Sequence, residues 1–125
     1  MEETRPQVVL FGSTSVYMRK YHNKKVEIDG HKFDSRHEAE IYLYLKQQEQ
    51  DGNISQLKLQ VPFILQDKFK INGRTVREIK YLADFTFTNS EGQLEVWDAK
   101  GYRTDVYSLK KKLFEYQYGV EIQEV

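Results

Sequence analysis

Three charged residues interrupt the most apolar part of the chain. Within "YLADFTFTNSEGQLEVWDAKG", residues 81–101, Asp84 sits among Tyr81, Ala83, Phe85 and Phe87, and Asp98 and Lys100 close the next apolar run. Side chains alternate faces along a strand, so Asp98 and Lys100 share one face, while Asp84 takes the face opposite its apolar neighbours. A turn expected at Asn89–Gly92 folds the two runs together and brings Asp84 toward the Asp98/Lys100 pair at one sheet end. Two carboxylates and an ammonium held there lose hydration, and the like charges repel. A divalent cation relieves that cost: Mg²⁺ prefers hard oxygen ligands and takes one or two carboxylates with water and phosphate oxygens.

Glu38 is a fourth candidate. Ile41, Tyr42 and Leu45 follow it at helical spacing, so Glu38 continues the stripe expected to face a sheet, while Glu40 points elsewhere. Each charge also has an ordinary reading. Glu38 can complete a capping box with Ser35, Asp84 can pair with Arg77 or Lys80, and Asp98 with Lys100 can be a same-face ion pair worth little. What favours a site is the joint pattern, in which four charges converge on one sheet end.

The elements that must position these residues are legible in the chain. "KKVEIDGHKF" has the alternation and the Asp29-Gly30 turn of a hairpin. "DSRHEAEIYLYLKQQEQDGNI" reads as a helix with Ser35 as N-cap and Gly52 at its C-terminal cap. "ISQLKLQVPFILQ" is β-rich, with Pro62 marking an edge or a strand start. Two hairpins follow, turning at Asn72-Gly73 and Asn89–Gly92. A second helix starts near Thr104 or Asp105 and stops at Gly119, with Val106, Leu109, Leu113 and Tyr116 as its expected core stripe. "VEIQEV" is a last strand. The order predicts an α/β fold, a mixed sheet flanked by helices, with a loose arm over residues 1–22 and a single domain over 23–125.

Composition narrows the class. The 125 residues suffice for one domain with a core. Lys plus Arg and Asp plus Glu both number 19, so net charge does not decide whether nucleic acid is a partner. Distribution says more: Lys100, Arg103, Lys110, Lys111 and Lys112 stand against one acid, Asp105, and Arg19, Lys20, Lys24 and Lys25 form a second basic stretch. The absence of cysteine excludes disulfides and thiolate metal sites. No run approaches ~20 apolar residues and the start lacks a cationic leader, so the chain reads as cytoplasmic, with no membrane partner.

Asp84, thirteen intervening residues, then Asp98-Ala99-Lys100, after a helix bearing Glu38, resembles the PD-(D/E)xK nuclease superfamily. The nearer likeness is to small phage and prophage proteins long catalogued as a domain of unknown function. The matching stretches are "KKVEIDGHKFDSRHEAEIYLYL", "LQVPF", "YLADFTF", "VWDAKGYRTDVYSLKKKLFEYQYG" and "VEIQEV", together about residues 21–125. The motif's usual proline is Ala83 here. "LQVPF", with Gln60 and Pro62, is similar to a feature of the transposon end-cleaving branch and adds Gln60 as a weaker site candidate.

The resemblance implies a restriction-endonuclease-like αβββαβ core and a Mg²⁺-dependent endodeoxyribonuclease, with Mn²⁺ able to substitute. It makes Glu38, Asp84, Asp98 and Lys100 catalytic, and Glu38, Asp84, Asp98 and the Ala99 carbonyl metal ligands. It places Lys100 beside the attacking water and implies 5′-phosphate and 3′-hydroxyl products. Arg103, Thr104, Lys110, Lys111 and Lys112 are the further DNA-binding candidates, against the bland reading of a solvated basic face. Small members without a recognition domain include Holliday-junction resolvases. The expectation is therefore a structure-selective nuclease acting as a homodimer on branched DNA, in phage recombination or packaging. The alternative is a catalytically silent DNA-binding or assembly protein that keeps the fold.

Overall fold

The computed structural model describes residues 7–11, 14–18, 25–99 and 103–125, with backbone alone for 7–11 and 14–18. The chain divides into two compact units, Met1–Asn53 and Ile54–Val125, where the sequence pattern suggests one domain from residue 23.

The first unit holds β1 (Gln7–Phe11), β2 (Thr14–Met18), β3 (Val26–Ile28), β4 (His31–Phe33) and helix α1 (Arg36–Gln50). The four strands pair antiparallel in chain order, so the segment expected as a loose arm contributes two strands. It lacks a hydrophobic period, and its order comes from ladder hydrogen bonds that no side-chain pattern announces. The β3–β4 turn has Asp29 and Gly30 at φ 54° and 80°, the doubly positive pair that closes a two-residue hairpin. Val26, Ile28 and Phe33 are buried, and α1 packs on β3 and β4 with Ala39, Tyr42, Leu43 and Leu45 inside. The Tyr42 ring lies 5.2 Å from Phe33, and its phenol donates to Asp29 Oδ2 at 2.7 Å. Burial, and then that bond, push the Tyr42 phenol pKa far above its ordinary range.

The second unit is built on β5 (Ser55–Gln66), β8 (Ile79–Thr88), β9 (Leu94–Asp98) and β10 (Ile122–Glu124), ordered β10-β9-β8-β5. β5–β8 and β8–β9 are antiparallel and β10 is parallel to β9, which makes the sheet mixed. Pro62 falls on edge strand β5, the position in a sheet where a residue without an N–H is tolerated. Strands β6 (Phe69–Ile71) and β7 (Arg74–Val76) form a separate hairpin, turning through Asn72 and Gly73 at φ 49° and 76°. Helix α2 (Asp105–Tyr118) crosses from β9 to β10, capped by Thr104 Oγ1, which accepts the Tyr107 N–H at 3.0 Å, and by Gly119 at φ 70°. With the β6–β7 hairpin set aside, the chain runs α1-β5-β8-β9-α2-β10. This is the mixed α/β class expected, compatible with a restriction-endonuclease-like core. No helix among the described residues is long and apolar enough to cross a membrane.

The core of this unit corrects the expected face of α2. Val106, Leu109, Leu113 and Tyr116 are 62, 58, 38 and 90 % exposed. Turned inward instead is Phe114, fully buried with Tyr81, Ala83, Val96 and Ile122 and flanked by half-buried Tyr107. Its ring lies 4.9 Å from Phe63, 5.5 Å from Tyr81 and 4.9 Å from Tyr118. Both stripes have helical spacing, and the aromatic one wins because it buries more area and its phenols find acceptors. Tyr118 donates to the Ile64 carbonyl at 2.7 Å and Tyr107 to Glu124 Oε2 at 2.8 Å.

Candidate active site

Strand β8 changes face at Asp84. Tyr81 and Ala83 pack in the α2 cluster with Val96, but Phe85 lies across the ladder from Trp97, the next residue along from Val96 and so on the other face. Strict alternation from Tyr81 to Phe87 is therefore not observed. Opposite the change, Gln60 of β5 has φ 55°, a left-handed conformation rarely adopted inside a strand. This local irregularity lets Asp84 reach into the ladder itself. Its Oδ2 accepts the Ala99 N–H at 2.8 Å, and its Oδ1 accepts Gln60 Nε2 at 3.5 Å.

Asp98 ends β9 one residue before that amide. Its Oδ2 accepts the Tyr81 phenol at 2.8 Å, and its carbonyl accepts the Val125 N–H at 3.0 Å. Asp84 and Asp98 are 3 and 2 % exposed, and Ala99 is buried as well. Two carboxylates from adjacent strands are thus held inside the second unit, each oriented by an N–H or O–H donor. Tyr81's pKa is driven far above the usual phenol range by burial first and by the Asp98 charge second. The phenol therefore stays a donor.

The family model described as "Protein of unknown function (DUF1064)" matches residues 18–124. The chain belongs to this family. Comparison with curated proteins and with solved structures gives no match.

The DUF1064 match takes in both aspartates and both helices. Lys100 lies outside the described residues. Glu38 belongs to the first unit, where it is buried near the start of α1 and its N–H donates to Ser35 Oγ at 3.1 Å, as the capping reading expects. Among the described residues no group of three or more His, Asp or Glu side chains is arranged to hold a metal ion. The donor set within the second unit is a pair of carboxylates. That pair fits Mg²⁺, which keeps several waters and needs only one or two carboxylates, and the Ala99 and Tyr81 donors are the outer partners that orient such ligands.

The expected DNA-binding set in this DUF1064 protein divides. Arg103 Nη2 lies 2.6 Å from Glu124 Oε1, and Lys111 Nζ lies 3.2 Å from Glu124 Oε2. The Tyr107 phenol, then Arg103 and Lys111, hold the Glu124 carboxyl down at about 2. Glu124 faces Asp98 across the β9–β10 ladder, so this hub adjoins the acid pair. Thr104 caps α2, Lys110 lines a groove beside that helix, and Lys112 is exposed. Gln60 is bonded to Asp84 and so belongs with the acids. Tyr81, Tyr107 and Glu124 were not among the expected site residues. Tyr81 reaches Asp98 through the β8–β9 pairing. Only the parallel β9–β10 pairing and the packing of α2 bring Glu124 and Tyr107 there, and no local spacing signals either.

Proposed function

We propose that the protein is a metal-dependent endodeoxyribonuclease of PD-(D/E)xK type, structure-selective and resolvase-like, serving phage DNA recombination or packaging. The observation that carries this reading is the buried pair Asp84 and Asp98 on adjacent strands, with Lys100 following in the chain. The resemblance in residue order adds the reaction class. Asp84 and Asp98 would hold Mg²⁺, with the Ala99 carbonyl as a further ligand on the resemblance alone. Bound there, Mg²⁺ supplies Lewis-acid polarisation of the scissile phosphate. Asp84 is held in place by the Ala99 amide, and Asp98 by the Tyr81 phenol. Lys100, as the motif lysine, balances charge developing on the phosphate as water attacks phosphorus and the bond to the 3′ oxygen breaks. The exposed start of α2 is suited to a flanking phosphate, which Arg103 would reach only by exchanging its Glu124 partner.

The test is cleavage in Mg²⁺ or Mn²⁺ of a four-way junction, a Y-fork, linear duplex and single strands, with Asp98→Ala and Lys100→Ala beside the wild type. Paired symmetric nicks in the junction, absent from both variants, are expected. Equal cutting of every substrate would leave the nuclease and remove junction selectivity. No cutting, with DNA binding that both variants retain, would replace the enzyme by a silent binding protein.

A further inference from the structure

Helix α2 presents apolar residues on two opposite sides, and only one is used within the second unit. Val106, Leu109, Leu113 and Tyr116 recur at intervals of three, four and three residues, the spacing of a helix–helix seam, yet all four are exposed. An open groove of about 530 Å³ runs beside them, with Val106, Leu109 and Leu113 on the helix side and Ile79 at the start of β8 opposite. Contiguous water-facing apolar surface of this kind marks a place where another molecule packs.

Charge decides what that molecule is. Arg77, Lys80 and Lys110 line the groove against the single acid Glu78. Along α2, Lys110 and Lys112 occupy the two positions that flank a seam of this spacing. A matching surface is therefore apolar at its centre and acidic at its edges. A second copy of α2 laid antiparallel would set Lys110 and Lys112 against their own counterparts, a like-charge juxtaposition that disfavours it. A nucleic-acid duplex would meet the basic edges with its phosphates but would leave Val106, Leu109, Leu113 and Ile79 without an apolar counterpart.

We propose that the outer face of α2 and its groove dock an amphipathic helix of a partner protein, with apolar residues at three- and four-residue intervals and Asp or Glu along both edges. The proposal goes beyond the nuclease reading and does not depend on it.

The test uses the full chain and two fluorescein-labelled synthetic amphipathic helices, identical except that one carries Glu and the other Lys at the edges. Fluorescence anisotropy should show the Glu helix binding and the Lys helix not binding. Leu109→Asp should abolish binding without lowering the melting temperature, because Leu109 is an exposed side chain. Lys110→Glu with Lys112→Glu should weaken the Glu helix about tenfold and strengthen the Lys helix. Equal binding of both helices, no binding of either, or indifference to Leu109→Asp overturns the proposal. A dimer in sedimentation equilibrium that Leu109→Asp splits assigns the face to a second copy instead. Duplex binding lost in Leu109→Asp assigns it to nucleic acid.

Discussion

Asp98→Asn probes the acid pair most directly. Asp98 is buried, and its Oδ2 accepts the Tyr81 phenol at 2.8 Å. The amide is nearly isosteric and keeps an oxygen for that hydroxyl, so the network survives with one charge fewer. Exchanging a charge-assisted bond for a neutral one costs about 1 kcal/mol. Relief from burying a second carboxylate beside Asp84 offsets a similar amount. Without metal, the melting temperature should therefore stay within about 5 °C of the wild type. Metal changes the comparison. A cation that binds only the folded wild type, at tenfold excess over its Kd, stabilises by about 1.4 kcal/mol. For a chain of this size that is a rise of about 3–6 °C. Differential scanning calorimetry across a Mg²⁺ or Mn²⁺ titration should show that rise in the wild type and none in Asp98→Asn. The same rise in both proteins would refute the assignment of Asp98 as a ligand. No rise in the wild type, even with duplex DNA present, would refute the metal site.

Three other substitutions test the surrounding framework. Tyr81→Phe deprives a buried carboxylate of its donor and should cost about 1–3 kcal/mol in urea unfolding, an unchanged midpoint ruling out the phenol's role. Because the folded phenol pKa lies above its ordinary value of 10.0, the stability tied to it is complete below that pH and lost as pH rises further. The Tyr81 part of the wild-type absorbance change at alkaline pH should accordingly coincide with unfolding. Glu124 has the opposite sign: held at about 2 against an ordinary 4.5, its carboxylate contributes stability that is present above 4.5 and lost as pH falls toward 2. Glu124→Gln should be less stable than wild type at neutral pH, with the gap closing across that acid window. A pH-independent gap would mean that pairing of the Glu124 charge with Arg103 and Lys111 is not what stabilises the fold. Phe114→Ala empties the centre of the aromatic cluster and should cost about 3–5 kcal/mol in guanidinium unfolding, where a loss below 1 kcal/mol would show the cluster collapsing around the gap.

Much of the framework is local and therefore legible in the chain. Asp29-Gly30 and Asn72-Gly73 take the positive φ values their turns need, and Ser35 and Thr104 accept the N–H groups that a helix start leaves unpaired. Strand alternation was a weaker guide. It placed Asp84 near Asp98, but it carried Tyr81 and Phe85 on one face, where the irregularity opposite at Gln60 sends them to different ones. The basic run after Lys100 suggested a shared phosphate surface, yet Arg103 and Lys111 meet Glu124, a residue at the far end of the chain.

The sequence by itself determined where turns and caps fall, and that two aspartates lie in neighbouring strands, because spacing, φ preference and side-chain capping act over a few residues. Tertiary structure alone decided which stripe of α2 faces the sheet. Val106, Leu109, Leu113 and Tyr116 match a helical period as well as Tyr107, Phe114 and Tyr118 do. The choice between them depends on the rings of Phe63 and Tyr81 and on the acceptors at Glu124 and Ile64, which reach α2 only after the strands have paired. Periodicity can mark a face as apolar, but burial depends on what stands opposite.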